Sequence, residues 1–221
     1  MTTPADYLEP LSSDNAAVLF IDNQTTLTLG VQSIDMTLLK TNTEGLAQLA
    51  KIFGLPVVLT TTGGGAEGPS GPLLKGISDT FPDVTPIDRT GNLNAMDDPR
   101  FAAAVGATGR RKVILSGITT DFCLVYPALT LIAAGYHIFI PIDASGSWTA
   151  AMNDAALQRL IQAGATPTNV QSIAGELQNS LTNKSRNAAM ALMPQMMDWI
   201  GAYTPAPSII SMNGAYKSAG S

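Results

Sequence analysis

The chain has one cysteine and one histidine among its 221 residues. A single cysteine excludes an internal disulfide framework, and a lone histidine cannot build a metal site by itself. Charge is scarce too: 13% of residues are charged, and acidic residues outnumber basic ones 17 to 12. The resulting net charge of −5 argues against nucleic acid or an anionic membrane as a partner. No apolar run approaches the roughly 18 residues of a membrane span, and no basic-then-apolar leader opens the chain. A cytoplasmic protein without metal or cofactor is expected. What the chain does have is apolar mass, 45% of its residues, enough for one large core in a single α/β domain. So few charges leave wide surfaces to cover, and a homo-oligomer, tetramer or octamer, is expected.

The apolar residues come in alternating short runs and helical repeats. Ala16–Ile21 is near-continuous and ends at Asp22, which reads as a strand buried on both faces. Residues 36–53 carry a helical repeat closed by Gly54, and Leu55–Thr60 form a second strand. A short third strand is placed near Val84–Ile87, a helix opened by Pro99 over 99–108, and a central strand over 113–116. Helix 122–134, strand 136–140, helix 148–163 and a short sixth strand at Val170–Ile173 complete the pattern. Strands alternating with helices predict a three-layer α/β/α sandwich around one parallel, Rossmann-like sheet of order 3-2-1-4-5-6. Residues 1–182 would form this domain. Residues 183–221 would add a Met-rich helix and tail, either part of the same domain or a subunit contact over 186–212.

In such a sheet the first and fourth strands are neighbours, and ligands bind outside their carboxyl ends. Asp22 ends the first strand, and Cys123 follows the fourth in Val113-Ile-Leu-Ser-Gly-Ile-Thr-Thr-Asp-Phe-Cys123. A cysteine where a strand hands over to a helix meets unpaired N–H groups and the positive end of the dipole, which favour a low-pKa thiolate. The competing reading is a small buried hydrophobe. Asp22 could carry the thiol proton to a leaving amine, or merely cap a turn. Arg89, in the polar stretch Asp88–Met96, could hold Asp22 ionised, or lie solvated at the surface. The run Gly63–Pro72 fits Gly-x-Gly-x-x-Gly, yet Pro69 and Pro72 stand where a nucleotide site needs a helix. A mobile loop over the site or a subunit contact suits it better. His137 sits inside an apolar strand and reads as core.

These residues carry a resemblance. An Asp ending the first strand, a basic residue followed by Asn94-Ala95-Met96, and Ser116-Gly-Ile-Thr-Thr-Asp-Phe-Cys123 resemble the isochorismatase-like cysteine hydrolase superfamily. The run Arg89–Asp97 with Asp143-Ala-Ser-Gly146 is most similar to its YcaC-type branch of hydrolases. The resemblance covers roughly residues 10–180. It implies hydrolysis of a small amide, carbamoyl or nitrile C–N bond through a thioester on Cys123, with Asp22 as general base. It also implies an oxyanion hole of N–H groups near Phe122 and Cys123, and a cis peptide at Ile118–Thr119. Asn94 and Thr120 are candidate substrate-binding residues. The family's amidases use an Asp–Lys–Cys triad, and here Arg89 falls at the lysine position. Arginine supplies charge but cannot be deprotonated. That departure keeps open a catalytically weak ligand-binding or assembly protein. A thiol redox sensor is the weaker rival, because no second cysteine is present to resolve an oxidised thiol.

Overall fold

The computed structural model describes residues 8–89 and 91–179. Its centre is a parallel sheet of strands β1 (Ala16–Ile21), β2 (Val57–Thr62), β3 (Ile87–Arg89), β4 (Lys112–Gly117), β5 (His137–Pro141) and β6 (Thr166–Thr168). Their order is 3-2-1-4-5-6, as the alternation predicts. β1 and β4 are buried at every position and pair from Ala16↔Lys112 to Ile21↔Gly117. Side chains that alternate along a strand point to opposite faces, so each face needs its own cover. Phe20, Ile114 and Phe139 pack on one side with Leu46, Leu49, Ile173 and Leu177, and Leu19, Ile21 and Leu115 pack on the other with Phe101, Leu131 and Leu160.

The first layer holds helices α2 (Met36–Phe53) and α3 (Lys75–Thr80), with α7 (Val170–Gln178); α1 (Thr25–Leu29) is a short turn after β1. The second holds α4 (Pro99–Ala107), α5 (Val125–Ala133) and α6 (Ala150–Ala163). The Asp35 carboxylate accepts from Thr37 and Leu38 N–H at the start of α2, and Gly54 closes it at φ 65°.

Three boundaries depart most from expectation. β3 starts three residues later than the expected strand and ends on Arg89. Residues 170–173 are not a strand but the first turn of α7, capped by the Asn169 side chain on Ser172 N–H. Val170, Ile173, Ala174 and Leu177 repeat at helical spacing, and a four-residue window cannot separate that from a strand. Helix α5 starts at Val125, because a π-helical turn, Thr120–Leu124, precedes it. The helix, tail and subunit contact expected beyond residue 182 lie outside the described residues.

Candidate active site

At the carboxyl edge of β1, Asp22 adopts φ 55°, a region that residues with a β-carbon seldom occupy. Its N–H still donates to the Thr60 carbonyl at 3.1 Å, so the strand ladder runs up to the point where the chain turns away. The Asp22 side chain is fully buried and ion-paired with the equally buried Arg89. Arg89 is therefore not a surface arginine. Its Nε donates to Thr60 Oγ1 at 2.8 Å, Nη1 to the Asn92 carbonyl at 2.8 Å, and Nη2 to Asp22 Oδ2. The Thr60 hydroxyl in turn donates to the Ile87 carbonyl at 2.7 Å, which leaves its lone pairs facing the guanidinium.

Cys123 sits in the π-helical turn after β4, half-buried. The peptide bond Ile118–Thr119 is cis. Thr119 N–H interacts with the Cys123 thiol, and the thiol and the Asp22 carboxyl are coupled by a hydrogen bond and by charge. Asp22 Oδ1 is buried and has no N–H or O–H donor, which leaves that oxygen for the thiol. Of the other expected residues, Phe122 N–H is engaged with the Thr119 carbonyl at 3.2 Å, inside the turn. The half-exposed Phe122 ring meets Tyr126 edge-on at 5.4 Å. Thr120 is buried, its N–H bonded to the Gly146 carbonyl at 2.9 Å and its hydroxyl without a partner. Asn94 does not present a free amide: its Nδ2 donates to Asp97 Oδ1 and Thr130 Oγ1, both at 3.0 Å, and its Oδ1 accepts from Met96 N–H. It braces one wall of an open groove of about 560 Å³ between residues 91–97 and α5, one helical turn from Cys123.

The electrostatics overturn one expectation. Burial first, and then the Asp22 charge, push the Cys123 thiol up to about 12, well above its usual range. A helix start and a cation suggested the opposite. Arg89 does pull the thiol down, but its charge is already matched by Asp22. Burial also pushes the Asp22 carboxyl above its usual range, against the pull of Arg89. The resting thiol is thus protonated, beside a carboxylate made more basic by burial.

A residue that the sequence reading passed over fixes this corner. The fully buried Gln24 donates from Nε2 to the carbonyls of Gly71, at 2.6 Å, and Thr62, at 3.2 Å, and accepts from Thr62 N–H at 2.9 Å. Thr25 and Thr26 N–H bond to the carbonyls of Pro72 and Ser70. The Gly63–Pro72 loop is therefore stitched to the segment after Asp22, with only a single 3₁₀ turn, Gly65–Glu67, inside it. The one available signal was an amide side chain two residues after a strand-end acid. His137 lies in β5 at 7% exposure, as a core residue. Among the described residues, no group of three or more His, Cys, Asp or Glu could hold a metal ion.

A carboxylate, a guanidinium and a thiol thus meet at the carboxyl edge of a doubly covered parallel sheet, in a three-layer α/β protein. Residues 16–172 match the isochorismatase domain, and the chain belongs to the isochorismatase family as an enzyme of the hydrolase type. It is 37% identical over 189 residues to a probable hydrolase, YcaC, of Escherichia coli, spanning 86% of this chain and 90% of that one. A Pseudomonas aeruginosa YcaC structure, described with hexane-2,5-diol and covalent acrylamide, superposes with TM-score 0.81 at 34% identity, covering 93% of this chain and all of that one. The Escherichia coli YcaC structure, described as an octameric hydrolase of unknown specificity, gives TM-score 0.82 at 34% identity over 95% of this chain and 97% of that one.

Proposed function

We propose that the protein hydrolyses a small-molecule amide-type C–N bond, carbamoyl and nitrile groups included, with Cys123 as nucleophile. The observation that carries this reading is the contact between the Cys123 thiol and a buried, ion-paired Asp22. Asp22 Oδ1 takes the thiol proton as the sulfur attacks the carbonyl carbon. The developing oxyanion is held by backbone N–H groups of the turn around Cys123, where fixed dipoles stabilise charge without reorganising. The C–N bond then breaks, and Asp22 returns the proton to the departing amine. Water attacks the thioester, Asp22 accepts its proton, and the acid leaves as the proton goes back to the sulfur. A carboxylate with a raised pKa suits both halves of this cycle. Arg89 never exchanges a proton here; it keeps Asp22 charged and in place.

Acrylamide held covalently by the Pseudomonas relative accords with this reading, because such acceptors add to thiols, and Cys123 is the only thiol in this chain. The octameric relative likewise supports a homo-oligomer for this lightly charged chain. A catalytically weak ligand-binding protein is the second reading, favoured by the high thiol pKa. Parallel turnover assays of wild type and Cys123→Ala on small amides, carbamoyl compounds and nitriles separate the two. Release of ammonia or amine by wild type alone is expected. Equal release by both proteins sinks the nucleophile, and release by neither favours the binding protein.

A further inference from the structure

We propose that this site selects neutral amides and rejects substrates that carry a carboxylate next to the scissile carbon; the inference rests on Cys123 being the nucleophile. A carboxylate-bearing substrate needs a cation with donors to spare. Arg89 is the cation at this site, and it is buried inside the protein and already ion-paired. Nε, Nη1 and Nη2 are each bonded inside the protein, to Thr60, Asn92 and Asp22, and the side chain is fully buried. Its charge is matched by Asp22, so the pair presents close to zero net charge to a ligand.

Two other polar atoms are of a different kind. Asp22 Oδ1 meets no N–H or O–H donor, only the Cys123 thiol, and the buried Thr120 Oγ1 has no hydrogen-bond partner; one is an acceptor and the other a hydroxyl that can donate or accept. Such atoms match the N–H and C=O groups of an uncharged amide. The charged side chains nearest the nucleophile in the turn and groove are carboxylates. Asp121, two residues before Cys123, accepts from the Ser147 hydroxyl at 2.6 Å, and Asp97 lines the groove. An anion approaching through the groove would meet Asp97 and no cation among the residues that line it.

Iodoacetamide and iodoacetate test this without knowledge of the substrate. They differ by an amide against a carboxylate, and both alkylate the same thiolate, so the ratio of their rates is independent of how much thiolate is present. The ratio is measured on Cys123 of the full-length folded protein by intact mass, and on 2-mercaptoethanol as the unhindered reference. The preference for iodoacetamide at Cys123 is expected to exceed the reference by at least about tenfold, or about 1.4 kcal/mol. Asp22→Asn removes the carboxylate that matches Arg89, so the preference should fall towards the reference value. A wild-type ratio equal to the reference overturns the inference, whether or not the variant folds. A high ratio unchanged in Asp22→Asn also overturns it, because shape rather than the matched charge would then be selecting. Failure of both reagents to modify Cys123 removes the nucleophile itself, and this inference with it.

Discussion

The protonated resting thiol has consequences for rate and for stability that can be worked out in advance. A shift from 9.0 to about 12 lowers the thiolate fraction near neutral pH about a thousandfold. A more basic thiolate is also more nucleophilic, which recovers roughly twentyfold. Cys123 should therefore be alkylated by iodoacetamide about fiftyfold more slowly than an unperturbed thiol at pH 8, with the rate still climbing at pH 10. Stability follows the same proton. Because the folded pKa is raised, the native state holds a proton that the unfolded chain has lost between pH 9 and 12. The contribution is complete below pH 9 and is lost as pH rises through that window. The whole shift amounts to about 4 kcal/mol, of which about 2 kcal/mol should be gone by pH 10.5. Urea melts of wild type and Cys123→Ala from pH 8 to 10.5 should show the wild type losing this margin relative to the variant. Asp22→Asn removes the second-ranked cause, so its alkylation at pH 8 should rise about tenfold while turnover disappears. An alkylation midpoint at or below pH 9 in the wild type, with parallel melts, would refute this account of burial and charge.

Arg89→Met leaves the Asp22 carboxylate buried and uncompensated, which should cost about 3–5 kcal/mol and lower the thermal midpoint by about 6–20 °C. A loss under about 1 kcal/mol would mean that the pair does not hold this corner together. Gln24→Ala strands the Gly71 carbonyl and the Thr62 N–H that its amide joins, at a cost of about 2–4 kcal/mol, and should speed hydrogen exchange in residues 63–72. Exchange unchanged across that loop would return Gln24 to an ordinary core role.

The strand–helix alternation was legible in the chain because each signal is local. Apolar runs such as Ala16–Ile21 and closing glycines such as Gly54 act within a few residues, and an all-parallel sheet allows few orders for the strands they define. From that order alone, Asp22 and Cys123 fall at neighbouring strand ends. Where the signals were short, as at 84–87 and 170–173, the chain left strand and helix boundaries undecided. Only the tertiary structure determined that Arg89 turns inward. Its charge could be buried because Thr60 and Asp22, brought from two other strands' ends, and Asn92, three residues on, occupy every nitrogen it has. The same holds for the thiol. The position of Cys123 before a helix suggested a lowered pKa, but the desolvation and the facing carboxylate that raise it come from chain segments about a hundred residues away. Local pattern reports which groups a residue follows; burial and charge depend on which groups the fold packs against it.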